Sequence, residues 1–209
     1  MASYLPRYAQ LLGAKYYLSC TDSLSPPEGY LFEREIENCS LYSSHDAKPH
    51  YFLSTEIGLP YGKVERYIEA LQQNSVDPDK LSISSKDMGP IAEWLGKSRE
   101  PLRSETFMEK RSINNFEFGL RTNRRSVLVL NEYFRDEWQV AINGLKVKPF
   151  KVNLSQIGIF LPAGSNEVHF EYRPRLFIAL LYLQRIAFCI LAGVLAAALA
   201  KHLYVSAQK

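Results

Sequence analysis

The C-terminal end of this chain constrains everything before it. From Leu176 to Ala200 the sequence is apolar, and only Gln184 and Arg185 interrupt it as strongly polar residues. About twenty predominantly apolar residues span a bilayer as a helix, at about 1.5 Å of rise per residue. The run is long enough for a membrane anchor. The alternative is a buried helix of a soluble protein, and Arg185 argues for it, because a charge at the bilayer centre is costly. Arg185 lies in the first half of the run, where a long side chain snorkels towards the interface, and that position favours the anchor. The expected transmembrane helix covers 175–201, with a short tail over 202–209.

Averages conceal this feature. The net charge is +3 and the mean hydropathy is −0.18, values typical of soluble proteins. The residues before Pro174 are enough for one large domain or two small ones with a real core. Lys110-Arg111 and Arg124-Arg125 are the dense basic pairs, read as solvated loop charges. No recognition motif accompanies them, so no nucleic-acid partner is expected. Cys189 falls inside the apolar run and reads as a packing residue. Cys20 and Cys39 can pair if the domain faces an oxidising compartment and their Cα atoms approach closely enough; the alternative is two buried or half-buried free thiols. Met1 to Cys20 lacks the uninterrupted apolar centre of a signal peptide. If Met1 is the start, the domain crosses the membrane unaided or stays inside as a tail-anchored protein. If the chain is part of a longer protein, upstream spans deliver it outside. The charges flanking the anchor, Arg173 and Arg175 before it and Lys201 and Lys209 after it, nearly balance and do not decide orientation.

Along the chain, a short helix is expected around Tyr8–Leu12 and a strand at Ala14–Ser19. A turn cluster follows at Ser25–Gly29. Residues 30–42 and 50–57 read as strands. Val64, Tyr67, Ile68 and Leu71 recur with helical spacing, which predicts a helix over 63–73. Asp77-Pro78-Asp79 ends that unit, and a second helix is expected over 90–97. From residue 105 the pattern turns to β. Phe116, Phe118 and Leu120 alternate with polar neighbours, and Ser126 to Leu130 is nearly continuous. Trp138, Val140 and Ile142 lead to Asn143-Gly144, a strong hairpin signal because the tight turn needs positive φ twice. Pro162-Ala163-Gly164 is another turn, and Val168, Phe170 and Tyr172 alternate after it. The expected fold is mainly β with some α: an α+β region over 1–104 packed on a β-sandwich-like region over 105–174, then the transmembrane helix.

The order of these motifs resembles a family. The segment from Leu128 to Trp138 (LVLNEYFRDEW) is followed by Asn143-Gly144, Leu161 to Gly164 (LPAG), Val168 to Pro174 (VHFEYRP) and an apolar helix. That series, with Leu11 to Ser19 (LLGAKYYLS), resembles the C-terminal end of YfhO-type bacterial membrane proteins. In that family an apolar strand leads to a Tyr-Tyr-x-Gly-Trp-like segment, a hairpin, a Pro-Ala-Gly turn, a Val-x-Phe-x-Tyr strand and a spanning helix. Here Glu137 stands where Gly often precedes the Trp. The resemblance implies an extracytoplasmic domain on the cytoplasmic membrane of a bacterium. It also implies a setting in glycosyltransferase-like proteins that use lipid-linked sugars. Their catalytic carboxylates are expected in a multi-span portion outside these residues.

Candidate chemistry is sparse. Asp77 and Asp79 superficially match paired aspartates that hold a divalent ion, but Asp-Pro-Asp is a common turn sequence. His45, Asp46 and His50 cluster with ligand-type side chains yet lack a firm third ligand. No catalytic, cofactor-binding or metal-ligating residue is therefore expected, and no cofactor. Tyr133, Phe134 and Trp138 form a candidate platform for a glycan or a lipid-linked sugar, although such residues are more often sandwich core. Asn38 and Asn153 head glycosylation-type triplets. In the anchor, Ala192, Ala196 and Ala200 recur every four residues, beside Gly193 and Ala197. This small-residue face, with Gln184 and Arg185, reads as a surface for packing other transmembrane helices. The expected partners are thus the lipid bilayer and those helices. The chain reads as a non-catalytic accessory or binding module, with the C-terminal part of a membrane glycosyltransferase as the alternative.

Overall fold

A computed structural model describes residues 12–20, 29–62, 64–73, 75–77, 80–85, 87–96, 98 and 100–207. The expected helix around Tyr8, the turn at 25–28, and Asp79 lie outside the described residues. The chain divides into two compact units, Met1–Glu171 and Tyr172–Lys209.

The first unit is mainly β, with several sheets. Its larger sheets form a sandwich-like pair. One has the order β11-β10-β14-β8-β7, built from β7 (Ser104–Ser112), β8 (Asn115–Thr122), β10 (Trp138–Ile142), β11 (Leu145–Val147) and β14 (Gly164–Tyr172). The other has the order β12-β13-β9-β4, from β4 (Tyr51–Ser54), β9 (Ser126–Leu130), β12 (Phe150–Val152) and β13 (Gln156–Leu161). β4 comes from the segment before residue 105, yet it pairs antiparallel with β9, Tyr51 opposite Leu130. Hydrogen-bonded pairing therefore crosses the sequence division at 104/105.

The core follows from strand alternation. Phe116, Phe118 and Leu120 on β8, Val140 on β10 and Val168 and Phe170 on β14 are buried. Tyr51 of β4 lies against Phe118, with ring centroids 4.4 Å apart, and joins the two sheets. β9 is buried at every position. Val127 and Val129 pack with Leu81, Ile83, Ile91 and Leu95, while Leu128 and Leu130, also fully buried, point the other way. Its continuous apolar sequence reflects burial on both faces. Each such side chain contributes about 1.5–3 kcal/mol on burial.

The outer layer on β9 combines a two-stranded parallel sheet, β5 (Ile57–Tyr61) with β6 (Leu81–Ser84), and helix α2 (Met88–Leu95). α2 buries Ile91 and Leu95, one turn apart, and ends at Gly96, whose φ of 63° suits glycine. Trp94 donates its ring N–H to the Ser126 carbonyl (3.1 Å). Helix α1 (Val64–Gln72) buries Tyr67 and Ala70 against Val76 and Leu154.

A three-stranded sheet, order β1-β3-β2, comprises β1 (Tyr16–Ser19), β2 (Leu31–Ile36) and β3 (Cys39–Ser43). The strand expected over 30–42 is a hairpin: Glu37 takes φ 53° and turns the chain, which a continuous Tyr/Phe/Leu/Ile reading hid. Cys20 and Cys39 are disulfide-bonded. Arg124 donates to the Ser98 and Glu100 carbonyls, and the Arg125 guanidinium lies 5.0 Å from the Trp94 ring centroid. The pair lies in the β8–β9 loop, Arg124 half-buried and Arg125 exposed.

The second unit carries helix α3 (Arg175–Ala207). Arg175–Ala198, 24 residues, is long and apolar enough to cross a membrane, with no part of its most apolar stretch buried by protein.

Candidate functional site

The loop from Asn131 to Glu137 joins β9 to β10, and it carries the three aromatic residues singled out in the sequence. Its root is a buried amide ladder. Ser82 and Asn153 exchange hydrogen bonds, Ser82 N–H to Asn153 Oδ1 (2.8 Å) and Asn153 N–H to Ser82 O (2.7 Å). Asn153 Nδ2 donates to Gln156 Oε1 (2.7 Å), and Gln156 Nε2 donates to Asn131 Oδ1 (2.8 Å). Asn153 is 1% exposed and Gln156 is fully buried. Buried amides need such partners, since each unsatisfied polar group costs about 1–3 kcal/mol. The ladder fixes where the loop begins.

Two further segments meet the loop. Asn131 N–H donates to the His50 carbonyl (2.7 Å), extending the β4–β9 ladder. Gly13, at φ 75°, abuts the Asn131 amide and the Lys48 carbonyl, where a Cβ would collide. Residues around 13, 44–50 and 131–137 therefore converge at one end of the first unit.

The three aromatics do not share a surface. Trp138 is buried, stacked on Phe116 with centroids 5.9 Å apart, and its ring N–H donates to the Tyr133 carbonyl (3.2 Å). Phe134 is half-buried, and its backbone N–H donates to Ser155 O (2.5 Å). Tyr133 is 63% exposed, and the Arg135 guanidinium lies 5.5 Å from its ring centroid. Trp138 is core, and Tyr133 alone of the three is open to solvent.

Sequence reasoning missed the ionisable pair beside them. His50 Nε2 lies 3.0 Å from Glu132 Oε1, and the imidazole packs on Phe116 (4.9 Å). The residues are 82 positions apart, so only their place at adjacent strand ends could have signalled it. Tyr133 and Arg135 are exposed, whereas His50 and Glu132 are half-buried.

Other candidates resolve into structural roles. His45 and Asp46 are exposed, and Asp46 N–H donates to Ser44 Oγ in a local turn. Among the described residues no group of three or more His, Cys, Asp or Glu side chains gathers as metal ligands. Asp77 pairs with Lys80 (3.6 Å), which also pairs with Glu56 (3.5 Å). The hydrogen bond to Glu56, followed by the charges of Glu56 and Asp77, holds the Lys80 ammonium above its ordinary pKa. Asn153, buried within the ladder, offers no accessible amide for glycosylation in the folded domain, whereas Asn38 is exposed in the β2–β3 turn.

On α3, Gln184, Arg185, Ala192, Gly193, Ala196 and Ala197 are exposed. The side chain of Ala200 lies outside the described residues. No protein-family model matches the chain, and no curated protein or solved structure matches it.

Proposed function

We propose that the chain is a membrane-anchored, non-catalytic accessory or binding module of a larger membrane protein assembly. The observation that carries this reading is one 24-residue apolar span following a β-rich domain. The assembly of loops at one end of that domain supports ligand binding, with Tyr133 as the open aromatic face. The Cys20–Cys39 disulfide favours an extracytoplasmic domain, because disulfides persist in oxidising compartments. The resemblance to YfhO-type proteins points to the cytoplasmic membrane of a bacterium. Purified chain in detergent, offered lipid-linked or nucleotide sugars, should transfer none. Turnover abolished by Asp77→Asn would overturn the reading.

The second reading is the C-terminal part of a membrane glycosyltransferase that uses lipid-linked sugar. What favours it is the motif order: β9 and its loop, the Asn143-Gly144 turn, the Pro162–Gly164 turn, β14, then α3. The domain would then cover an active site formed by other membrane segments. Sequencing the gene upstream distinguishes the two. An in-frame series of spanning segments favours the transferase, and a ribosome-binding site immediately before Met1 favours the separate module.

A further inference from the structure

We propose that the Arg185 face of α3 docks on a second membrane-spanning helix bearing an aspartate or glutamate at the depth of the guanidinium. This rests on the reading of the chain as a membrane-anchored module and names the chemistry of the helix it meets.

Depth carries the argument. The 24 residues of Arg175–Ala198 extend about 36 Å at the helical rise, against about 30 Å of hydrocarbon. Arg185 stands ten residues after Arg175. With the span centred, its Cα lies roughly 12 Å inside the hydrocarbon boundary. An arginine stem reaches roughly 6 Å, so snorkelling shortens this depth without closing it. Sliding the helix to lift Arg185 to the headgroups strands the apolar run from Leu176 to Leu183 in water and draws Lys201 inwards.

Charge then selects the occupant. No Asp or Glu occurs from Tyr172 to Lys209, so this segment cannot neutralise its own guanidinium. An anionic headgroup lies beyond the side chain's reach. A parallel symmetric pair of α3 helices through this face sets Arg185 against Arg185, and like charges repel strongly where the dielectric is low. An acidic side chain on a different helix satisfies the charge at its own depth. The surroundings of Arg185 admit that helix. At 100° per residue, Cys189, Ala192 and Ala196 fall within about 40° of Arg185 around the axis. Their small side chains allow two backbones to approach closely.

The test uses the full chain with an N-terminal dye in phosphatidylcholine vesicles. Energy transfer is read to acceptor-labelled leucine–alanine spanning peptides that carry Glu, Gln or Leu at mid-length. The Glu peptide should associate at least roughly fivefold more strongly than the Leu peptide. Arg185→Lys should keep this preference. Arg185→Leu and Arg185→Gln, both checked for membrane insertion, should abolish it. Equal, specific association with all three peptides sinks the acidic pairing and leaves helix packing intact. Transfer no greater than to labelled lipid sinks both. Stronger transfer between copies of the chain assigns the face to a second copy. Loss of the Glu preference on adding phosphatidylglycerol assigns the charge to lipid headgroups. Either of these last results overturns the proposal.

Discussion

Gly119 faces outward on β8, and the ring of Phe107 from the bulged part of β7 occupies the space a side chain would fill. A Cβ there overlaps three carbons of that ring. Gly119→Ala should therefore destabilise the domain by about 1–3 kcal/mol, the usual range for overpacking. The denaturant midpoint measures it, and adding Phe107→Ala should restore part of the loss. If Gly119→Ala alone leaves the midpoint unchanged, the ring moves freely and the close packing is not a constraint. Tyr30 supplies a pH effect. Its hydroxyl donates to the Ala14 carbonyl (2.5 Å), and burial raises its pKa above the ordinary value. The folded state thus favours the neutral phenol. Its contribution is intact below the unfolded value of about 10 and is lost as pH rises through the folded value. Lys80, also raised, acts in the same direction over the alkaline range. Tyr30→Phe should flatten part of the alkaline fall in stability without touching the neutral-to-acid limb. An unchanged alkaline limb in urea titrations would remove Tyr30 as its source.

Among the elements, the small sheet β1-β3-β2 depends most on a covalent tie. Its strands have no fully buried apolar side chain among the described residues, and Tyr16, Leu18, Leu31 and Phe32 are each more than half exposed. The Cys20–Cys39 bridge closes a loop with sequence separation 19. Chain-entropy arguments give such a loop about 3 kcal/mol. Replacing both cysteines by serine should raise amide hydrogen exchange across β1–β3 and leave β8, β9 and β14 protected. Uniform acceleration through every sheet would mean that the small sheet and the sandwich unfold as one. The β10–β11 hairpin needs no such tie. Asn143 and Gly144 take φ 52° and 79°, and the Asn143 amide Oδ1 accepts the Glu167 N–H (2.8 Å).

For the whole molecule, sidedness is the decisive property. As a polar residue Asn166 reads as an exposed labelling position, but it shares the strand face of Val168 and Phe170, and the structure buries it. Asn166 donates to the Pro162 and Gly164 carbonyls and accepts from Asn143 Nδ2. Its polar side chain faces inward because these carbonyls and the Asn143 amide meet it there. Ile113, 94% exposed in the β7–β8 turn, is the suitable position. In a Cys189→Ser background, Ile113→Cys should react with an impermeant maleimide on intact cells. Reaction only after permeabilisation would put the domain inside and refute an extracytoplasmic location.

Sequence alone determined those features that rest on local pattern. The Asn143-Gly144 turn, helices α1 and α2, the doubly buried β9 and the apolar α3 each follow from periodicity, turn chemistry or length, properties a short window contains. Tertiary structure decided the features that depend on distant partners. β4 crosses into the sheet of β9, Asn153 reaches Ser82, Gln156 reaches Asn131, and His50 meets Glu132. These contacts leave no periodic trace, because hydrogen bonding and burial join residues by position in space, whereas a sequence pattern records only which face of an element is wet or dry. For the same reason Trp138 and Tyr133, close in sequence and alike in chemistry, end as core and surface: the loop root set by the amide ladder turns one inward and leaves the other open.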